Sequence, residues 1–319
     1  MVQTSWKGFD VKILIVASYN KGRFALFIME QVDALKSVGC EVHFFTVHGK
    51  GIKGYLRNLS ALKSEIRAFC PDVVHAHYGL SGLLANLQRK VPVVTTYHGS
   101  DINEPKVLRF SKIAMRLSAW NIFVSKKTLQ IAKLKQKYTL LPCGIDLCGL
   151  QLTEKKLARQ YMNLSADKEY ILFAGAFDNA VKNAPLAKQT VELLNCSSVE
   201  MLQLNGYSRD EVTFLMCAAD VFLMTSLTEG SPQVIKEAMA CGCPVVSVDV
   251  GDVKERTEGV EGCFVAQTSN PQELSDLILK ALRFGGRTEG RKRIIADGLE
   301  NHQVANKLME IYQKVCQKK

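Results

Sequence analysis

The chain has 319 residues, of which 47% are apolar and 23% are charged. That length accommodates two domains of ordinary size and excludes a single small module held together by disulfides. The formal net charge of +10 is uneven, because residues 1–150 hold 21 Lys and Arg against 9 Asp and Glu, whereas residues 151–319 hold 20 against 22. A basic first half beside a slightly acidic second half predicts two domains with different partners, the first facing something anionic.

The composition also indicates a compartment. No stretch reaches the roughly 20 apolar residues that span a bilayer, and the polar residues 1–7 lack the apolar core of a signal peptide. We therefore expect a cytoplasmic protein. Its ten cysteines lie mostly in apolar or helical surroundings, which indicates reduced thiols rather than a disulfide framework. The pairs Cys241 with Cys243 and Cys143 with Cys148 have no further Cys or His nearby to complete a zinc site, so we expect no bound metal.

In the first half, short β-branched runs alternate with helical stretches, the pattern of a parallel sheet with crossover helices. The predicted strands cover residues 11–17, 41–47, 71–76, 91–97, 121–125 and 139–142. The predicted helices cover residues 24–38, 53–68, 80–89 and 106–119, with a further short helix after residue 125.

The second half repeats the alternation after a polar, helix-prone stretch at residues 154–168. Its predicted strands cover residues 170–174, 199–204, 221–225, 244–248 and 262–266, and its predicted helices cover 184–194, 209–219, 232–241, 271–283 and 300–317. We expect two doubly wound α/β domains at residues 1–150 and 151–300, with a C-terminal helix at 301–319 that can cross back to the first domain. Ligands of such sheets bind beyond the carboxyl ends of the strands, so the loops there are candidate sites.

The segment 225–246 has the clearest chemistry. Ser231 suits the N-cap of the predicted helix 232–241, Pro232 suits its first position, and Gly242 suits the left-handed residue just after its end. The N–H groups at the start of a helix, with the positive end of its dipole, form a ready site for a diphosphate. The residues that we expect to bind there are Gly230, Ser231, Gln233 and Val234.

Two glutamates bracket this helix start. Glu229 precedes it, where a carboxylate can accept bonds from sugar hydroxyls, and we predict Glu229 to be catalytic. Glu237 lies about one and a half turns inside, within reach of a ribose. Together with the following Ala-Met-Ala-Cys-Gly-Cys-Pro-Val-Val and Asp-Val-Gly-Asp, they resemble the donor-site signature of glycosyltransferase family 4. That resemblance implies retaining enzymes of the GT-B fold, two Rossmann-like domains facing a cleft, in which the first Glu contacts the donor sugar and the second the ribose.

The loop after the strand 170–174 also resembles the family. Family members hold the nucleotide diphosphate there with an Arg and then a Lys, and Lys182 takes the second position. Ala176 stands where the Arg is usual, and Asn183 stands where a Gly is usual and is expected to bind substrate. Without a divalent metal a cation has to stabilise the departing diphosphate, so Lys182 is predicted to be catalytic. Arg23 can supply a second cation.

Two loops of the first half complete the resemblance. Gly22 and Arg23 follow the first strand, where the family usually has a pair of glycines approaching the donor phosphate. The loop Tyr-His-Gly-Ser-Asp resembles the family loop whose His lies against the donor sugar. The resemblance makes His98 a predicted catalytic residue, with Asp101 behind it as a predicted substrate-binding residue. Cys143 stands where the family usually has Asn.

The second domain is shorter than the resemblance would lead one to expect. Between Lys182 and the predicted helix at residue 209 the family has two strands with a helix between them, whereas this chain offers about 26 residues and one good strand. We therefore expect a C-terminal domain shortened by about one strand–helix unit. Tyr207, in the loop before that helix, aligns with the family's nucleobase contact and could stack on the base.

The resemblance implies a retaining transfer of a sugar from a nucleotide-diphosphate donor to a hydroxyl. No cofactor is expected, and a UDP-sugar is slightly favoured over a GDP-sugar. The absence of any Asp-x-Asp motif disfavours metal-dependent chemistry. The expected acceptor is a lipid-linked or polysaccharide glycan intermediate. Four cations on one side of the predicted helix 106–119 could dock it on an anionic membrane at the inner face: Lys106, Arg109, Lys112 and Arg116.

Three alternatives stay open from the sequence. A nucleotide-sugar epimerase of the same fold would act on the donor without any acceptor. A family relative without activity would use the same fold as a binding module, an alternative that Ala176 and the shortened domain keep open. A basic nucleic-acid-binding protein is supported by charge alone, because no helix-turn-helix, zinc finger or aromatic RNA-binding element is recognisable, and we expect no nucleic-acid partner.

Overall fold

The computed structural model describes residues 11–20 and 22–317. The chain divides into two compact units. One comprises the described parts of Met1–Gly144 and Asn301–Lys319, and the other comprises Ile145–Glu300. Each unit is a parallel α/β sheet with helices packed on it.

The first unit has a six-stranded sheet in the order β2-β1-β3-β4-β5-β6. Its strands are β1 Lys12–Ser18, β2 Glu41–Val47, β3 Val73–His77, β4 Val93–Tyr97, β5 Trp120–Phe123 and β6 Tyr138–Leu140. Alternate residues of β1 enter different cores, since Ile13 and Ile15 pack into one apolar cluster while Leu14 and Val16 pack into another. Both faces are buried, which is why the run is apolar throughout. All six predicted strands are confirmed within two residues.

Seven helices of this unit precede residue 144 in the described chain: α1 Leu26–Ser37, α2 Gly51–Leu56, α3 Leu59–Phe69, α4 Gly79–Asn86, α5 Ser100–Asn103, α6 Pro105–Leu117 and α7 Lys126–Ala132. The prediction of one helix over 53–68 was wrong. Asn58 interrupts it, because its side-chain amide donates to the carbonyl oxygens of Gly54 and Tyr55, at 2.9 and 3.1 Å. Side chains of this kind compete with the helical ladder and favour a break. The one-turn helix α5 was also missed.

The second unit has a five-stranded parallel sheet in the order β11-β10-β9-β7-β8. Its strands are β7 Glu169–Phe173, β8 Val199–Gln203, β9 Val221–Met224, β10 Val245–Val248 and β11 Cys263–Ala266. Its helices are α8 Lys155–Tyr161, α9 Ala184–Glu192, α10 Arg209–Ala218, α11 Gln233–Ala240, α12 Val253–Thr257, α13 Pro271–Phe284 and α14 Gly290–Ala296. The five predicted strands are confirmed, whereas α12 and α14 were missed. Between Lys182 and Arg209 the chain forms one helix and one strand, α9 and β8.

The last helix, α15 Asn301–Cys316, belongs to the first unit. Its apolar side includes Leu308 and Tyr312, both buried in the same cluster as Ile13 and Ile15 of β1. The Tyr312 hydroxyl also lies 2.6 Å from Nδ1 of His75 on β3. The chain therefore returns to the first sheet after completing the second one.

Helix α11 differs from its prediction at one end. It begins at Gln233, so Pro232 rather than Ser231 is the N-cap. The Ser231 hydroxyl instead donates to the carboxylate of Asp252 at 2.9 Å, because that buried carboxylate needs a donor. The other end is confirmed, since Gly242 has a φ of +68° and donates to the Met239 carbonyl at 3.0 Å.

All ten cysteines are free thiols, and five of them are buried. The exposed ones are Cys70, Cys148 and Cys196. Among the described residues, no helix is both long and apolar enough to cross a membrane.

Candidate functional site

Lys182 and Glu229 form an ion pair in the second unit. Nζ of Lys182 lies 2.8 Å from Oε1 of Glu229, and each side chain is 19% exposed. Lys182 ends a single 3₁₀ turn after β7, and Glu229 lies in the loop between β9 and α11. The predicted phosphate ligand and the predicted sugar ligand are therefore brought into direct contact at the carboxyl edge of the sheet.

The backbone around Lys182 is held by its neighbours. The hydroxyl of Thr225 donates to the carbonyl oxygens of Lys182 and Asn183, at 2.9 and 3.0 Å. Asn183 has a φ of +55°, a left-handed conformation that Asn tolerates better than most residues, so it can stand where the family has Gly. A Cβ at Gly175 would lie 2.8 Å from Cγ of Lys182, so this glycine leaves room for the Lys side chain.

Glu237 has a cationic partner that sequence reasoning missed. It is 6% exposed and its Oε1 pairs with the guanidinium of Arg209. Arg209 opens α10, which Ser208 caps by a capping box with Glu211. A glutamate that is buried in a helix requires a cation, and this rule could have indicated a partner for Glu237. Arg209 was predicted only as the start of a helix.

The loop before α10 presents Tyr207, which is 39% exposed. Gly206 precedes it with a φ of +83°, a left-handed turn that brings the chain into the cap of α10. The predicted nucleobase contact therefore lies two residues before Arg209, the partner of the predicted ribose ligand. Tyr207 is close to Arg209 in the chain, and Arg209 pairs with Glu237, so these three residues lie at one end of the second sheet.

The start of α11 is supported from the loop after β10. A Cβ at Gly251, whose φ is +55°, would lie 2.6 Å from the carbonyl oxygen of Gly230, so a glycine here lets the two loops approach closely. Asp252 is 3% exposed and accepts the Ser231 hydroxyl. Burial raises the pKa of Asp252, and the nearby positive charge of Lys236 opposes that rise.

This helix start holds the other predicted diphosphate contacts. Gly230 and Ser231 precede α11, and Gln233 and Val234 form its first turn. The first N–H groups of a helix have no acceptor within the helix, and the dipole adds a partial positive charge. Chemically, the second unit combines a helix N-terminus and a Lys, which suit phosphate, with two carboxylates, which suit hydroxyl groups.

In the first unit, His98 lies at the carboxyl end of β4, and its side chain is partly buried. Asp101 holds its loop, because the carboxylate accepts the backbone N–H groups of His98, Gly99 and Gly79 at 2.9–3.0 Å. Asp101 is 2% exposed, and burial raises its pKa to about 6 while those N–H bonds lower it. The structure thus gives Asp101 a position that supports the loop, behind His98.

The ring of His98 is closely surrounded. It lies 4.7 Å from the ring of Phe27 and 4.6 Å from that of Tyr78, between ring centroids. Its Nε2 is 3.0 Å from Nδ1 of His77, and its Nδ1 is 3.7 Å from Sγ of Cys143. His77 and Phe27 were not singled out from the sequence.

Gly22 and Arg23 lie in the loop between β1 and α1. Gly22 has a φ of +70° and its N–H donates to the Tyr19 carbonyl at 3.0 Å, so it forms a turn that favours glycine. Arg23 is exposed. Lys21, which stands between Asn20 and Gly22 in the sequence, lies outside the described residues.

Two stretches match families of known proteins. Residues 41–148 match the family described as Glycosyltransferase Family 4, and residues 172–283 match the one described as Glycosyl transferases group 1. The chain is 26% identical over 215 residues to TuaC of Bacillus subtilis, provisionally named a teichuronic acid biosynthesis glycosyltransferase, covering 59% of this chain and 55% of TuaC. It is 26% identical over 327 residues to an uncharacterized glycosyltransferase, MJ1178, of Methanocaldococcus jannaschii. This match covers 92% of this chain and 85% of MJ1178. The chain thus spans little more than half of the TuaC length.

Solved structures share the fold. A sucrose-phosphate synthase of Thermosynechococcus elongatus superposes with a TM-score of 0.82 at 17% identity, covering 97% of this chain and all of the other. HepE of Anabaena, solved in complex with UDP, superposes with a TM-score of 0.76 at 17% identity, covering 95% and 100%. The two-sheet α/β architecture is therefore that of these proteins.

Proposed function

The chain belongs to glycosyltransferase family 4, whose fold is GT-B, and from that premise we propose that it transfers a sugar from a nucleotide-diphosphate donor to a hydroxyl group. The acceptor in this proposal is a lipid-linked or polysaccharide glycan intermediate. The observation that carries it is the ion pair of Lys182 and Glu229 beside the start of α11, at 2.8 Å. A cation and a helix N-terminus suit a diphosphate, and a carboxylate suits a sugar hydroxyl.

Different residues of the second unit bind different parts of the donor in this proposal. The diphosphate lies against Lys182 and the start of α11, through Gly230, Ser231, Gln233, Val234 and the Asn183 backbone. The ribose hydroxyls donate to the carboxylate of Glu237, which Arg209 holds in place. The sugar hydroxyls donate to Glu229, and Tyr207 lies along the nucleobase.

The reaction retains the configuration of the transferred sugar. The departing diphosphate takes up the proton of the acceptor hydroxyl, which attacks from the same face of the sugar. Lys182 and the helix dipole stabilise the negative charge that grows on the leaving phosphate, so the proposed reaction needs no divalent metal. His98 is proposed to bind the donor sugar, and Gly22 and Arg23 are proposed to bind its phosphates.

A UDP-sugar is proposed as the donor ahead of a GDP-sugar. The support is the fold shared with HepE, a protein that was solved with UDP bound. A comparison of UDP with GDP in a binding panel tests this preference.

The first unit is proposed to dock on an anionic membrane at the cytoplasmic face through α6. Lys106, Arg109, Lys112 and Arg116 are all exposed on this helix. On the same side, Ile113 and Leu117 are 44% and 36% exposed, so apolar groups stand among the cations. Four cations near an anionic surface contribute about 1 kcal/mol each, and exposed aliphatic groups add insertion into the lipid boundary.

Product analysis tests the function. The purified chain is incubated with labelled UDP- and GDP-sugars, with and without bacterial glycolipid acceptors, in the presence of EDTA. Labelled glycolipid with retained configuration supports the proposal. Conversion of the donor sugar without any acceptor would indicate an epimerase instead, and nucleotide-sugar binding without turnover would indicate a binding module.

A further inference from the structure

Three histidine rings form a stack inside the first unit. His75 and His77 lie on the same side of β3, with centroids 4.6 Å apart and planes at 24°. The ring of His98, from the end of β4, follows at 5.2 Å from that of His77, with planes at 21°. A hydrogen bond of 3.0 Å joins Nδ1 of His77 to Nε2 of His98. The residue assigned to the donor sugar is therefore tied to a second, deeper histidine.

His77 has a single described partner for its ring nitrogens. Its side chain is fully buried, and its Nε2 has no hydrogen-bond partner. Burial lowers the pKa of His77 to about 3, so the ring is neutral at physiological pH. His75, next in the stack, is also buried, and its nitrogens are occupied by the hydroxyls of Tyr312 and Thr96 at 2.6 and 2.7 Å.

When His98 is neutral as well, the hydrogen bond between the two imidazoles holds one proton. If His98 donated it, the buried Nε2 of His77 would have to carry an N–H without an acceptor, and buried orphaned N–H groups are rarer than buried orphaned acceptors. If His77 donates it, only a bare lone pair is left unpaired. The second arrangement is favoured, and it places the proton of neutral His98 on Nδ1, because the hydrogen bond at one ring nitrogen sets the protonation of the other.

We propose that His77 is a positioning residue for sugar transfer, which holds His98 as the Nδ1–H tautomer and directs that N–H toward a hydroxyl of the donor sugar. The proposal rests on the proposed function in giving His98 contact with the donor. Nδ1 of His98 lies 3.7 Å from Sγ of Cys143, and a thiol is a weak acceptor. A sugar hydroxyl is a stronger acceptor than that sulfur, so it can replace the sulfur as a partner of the Nδ1–H group.

A matched pair of variants isolates the hydrogen bond. His77→Leu removes it, whereas His77→Asn places an amide N–H near the former Nδ1 and can still donate to His98. Tyr312→Phe serves as the control, because it removes the partner of His75 and leaves the contact between His77 and His98 intact. Thermal melting of all three proteins checks that they fold.

Two readouts are measured on these proteins. Two-bond ¹H–¹⁵N NMR of histidine-labelled protein reports the tautomer of His98, identified by its loss in a His98→Gln variant. We expect Nδ1–H in the wild type, in His77→Asn and in Tyr312→Phe, and loss of that dominance in His77→Leu. We also expect kcat to fall at least roughly tenfold in His77→Leu, with a smaller change in the donor KM, and to be largely restored in His77→Asn.

Some results would overturn the inference. These are an Nε2–H tautomer of His98 in the wild type, an unchanged tautomer or kcat in a folded His77→Leu protein, or no rescue by His77→Asn. A wild-type chain that transfers no sugar from any donor would instead contradict the proposed function, and the NMR readout then decides the tautomer without activity.

Discussion

Nζ of Lys182 lies 2.8 Å from Oε1 of Glu229, so the cation assigned to the diphosphate and the carboxylate assigned to the sugar are partners of each other. Each is only 19% exposed, and removing one leaves the other partly buried without its partner. In the proposed function, donor binding exchanges part of this ion pair for phosphate and hydroxyl contacts. The pair holds both side chains in place before the donor arrives.

Lys182→Ala is expected to lower kcat by about 100- to 1000-fold, the usual cost of losing one group that stabilises charge in a transition state. Lys182→Arg keeps a cation and should retain more activity. Steady-state kinetics with the active donor measure both. The control is Lys188→Ala, an exposed lysine on α9 that should keep wild-type rates. A Lys182→Ala protein with full kcat would remove Lys182 from the mechanism.

Arg209→Met is expected to raise the donor KM by roughly tenfold, because Glu237 loses the guanidinium that orients its carboxylate. Arg209→Lys keeps the charge but not the planar fork, so its KM should lie between those of the wild type and Arg209→Met. Isothermal titration with UDP and with 2′,3′-dideoxy-UDP locates the effect. The ribose assignment requires the wild type to prefer UDP and Arg209→Met to lose most of that preference; equal discrimination in both proteins would contradict it.

Asp101 is expected to make the first unit less stable as the pH rises. The pKa of Asp101 is raised from 3.8 to about 6 in the folded chain. The stabilisation that protonated Asp101 gives to the folded state is therefore fully present below pH 3.8 and is lost as the pH rises through 6. The shift corresponds to roughly 3 kcal/mol. Urea unfolding of the wild type and of Asp101→Asn at pH 4 to 7 measures the difference in their free energies of unfolding. That difference should shrink as the pH rises from 4 to 7. A pH-independent difference would show that Asp101 does not titrate in this range.

The membrane proposal predicts that charge reversal on α6 weakens vesicle binding. Lys112→Glu with Arg116→Glu should abolish most sedimentation with vesicles containing phosphatidylglycerol at low salt, because four charge units are changed on one helix face. The control is Lys188→Glu with Lys280→Glu, the same charge change at exposed positions of the second unit. Equal binding by the two double variants would point to net charge rather than to α6. No binding by the wild type at low or high salt would remove the membrane from the proposal.

The strands and most helices could be predicted because buried β-branched runs and capped amphipathic segments are local signals. Glu229 and Lys182 were found through the motif that they share with a family, but the contact between them was not predicted. The split at Asn58 and the true start of α11 could not be predicted. Both depend on side chains whose partners are decided by competition, the Asn58 amide with backbone carbonyls and the Ser231 hydroxyl with Asp252.

The pairings of Arg209 with Glu237 and of His77 with His98 were not predicted for a different reason. Their partners are 28 and 21 residues apart in the chain. They meet only because parallel strands bring successive loops to the same edge of a sheet. A pattern of residue types marks the ends of such strands, but the contact between two particular side chains depends on strand register and loop length, which the pattern does not contain.

The proposed function requires the second unit to hold a nucleotide diphosphate through Lys182 and the start of α11. Thermal shift of the wild type and of Lys182→Ala against UDP, GDP, UMP and UDP-glucose, all with EDTA, measures it directly, because a ligand of the folded state raises the melting temperature. For the wild type we predict a clear rise in melting temperature with a nucleoside diphosphate and a smaller rise with UMP. In Lys182→Ala, most of the difference between these two rises should be lost. No rise with any nucleotide, or equal rises for UMP and UDP in the wild type, would contradict the claim.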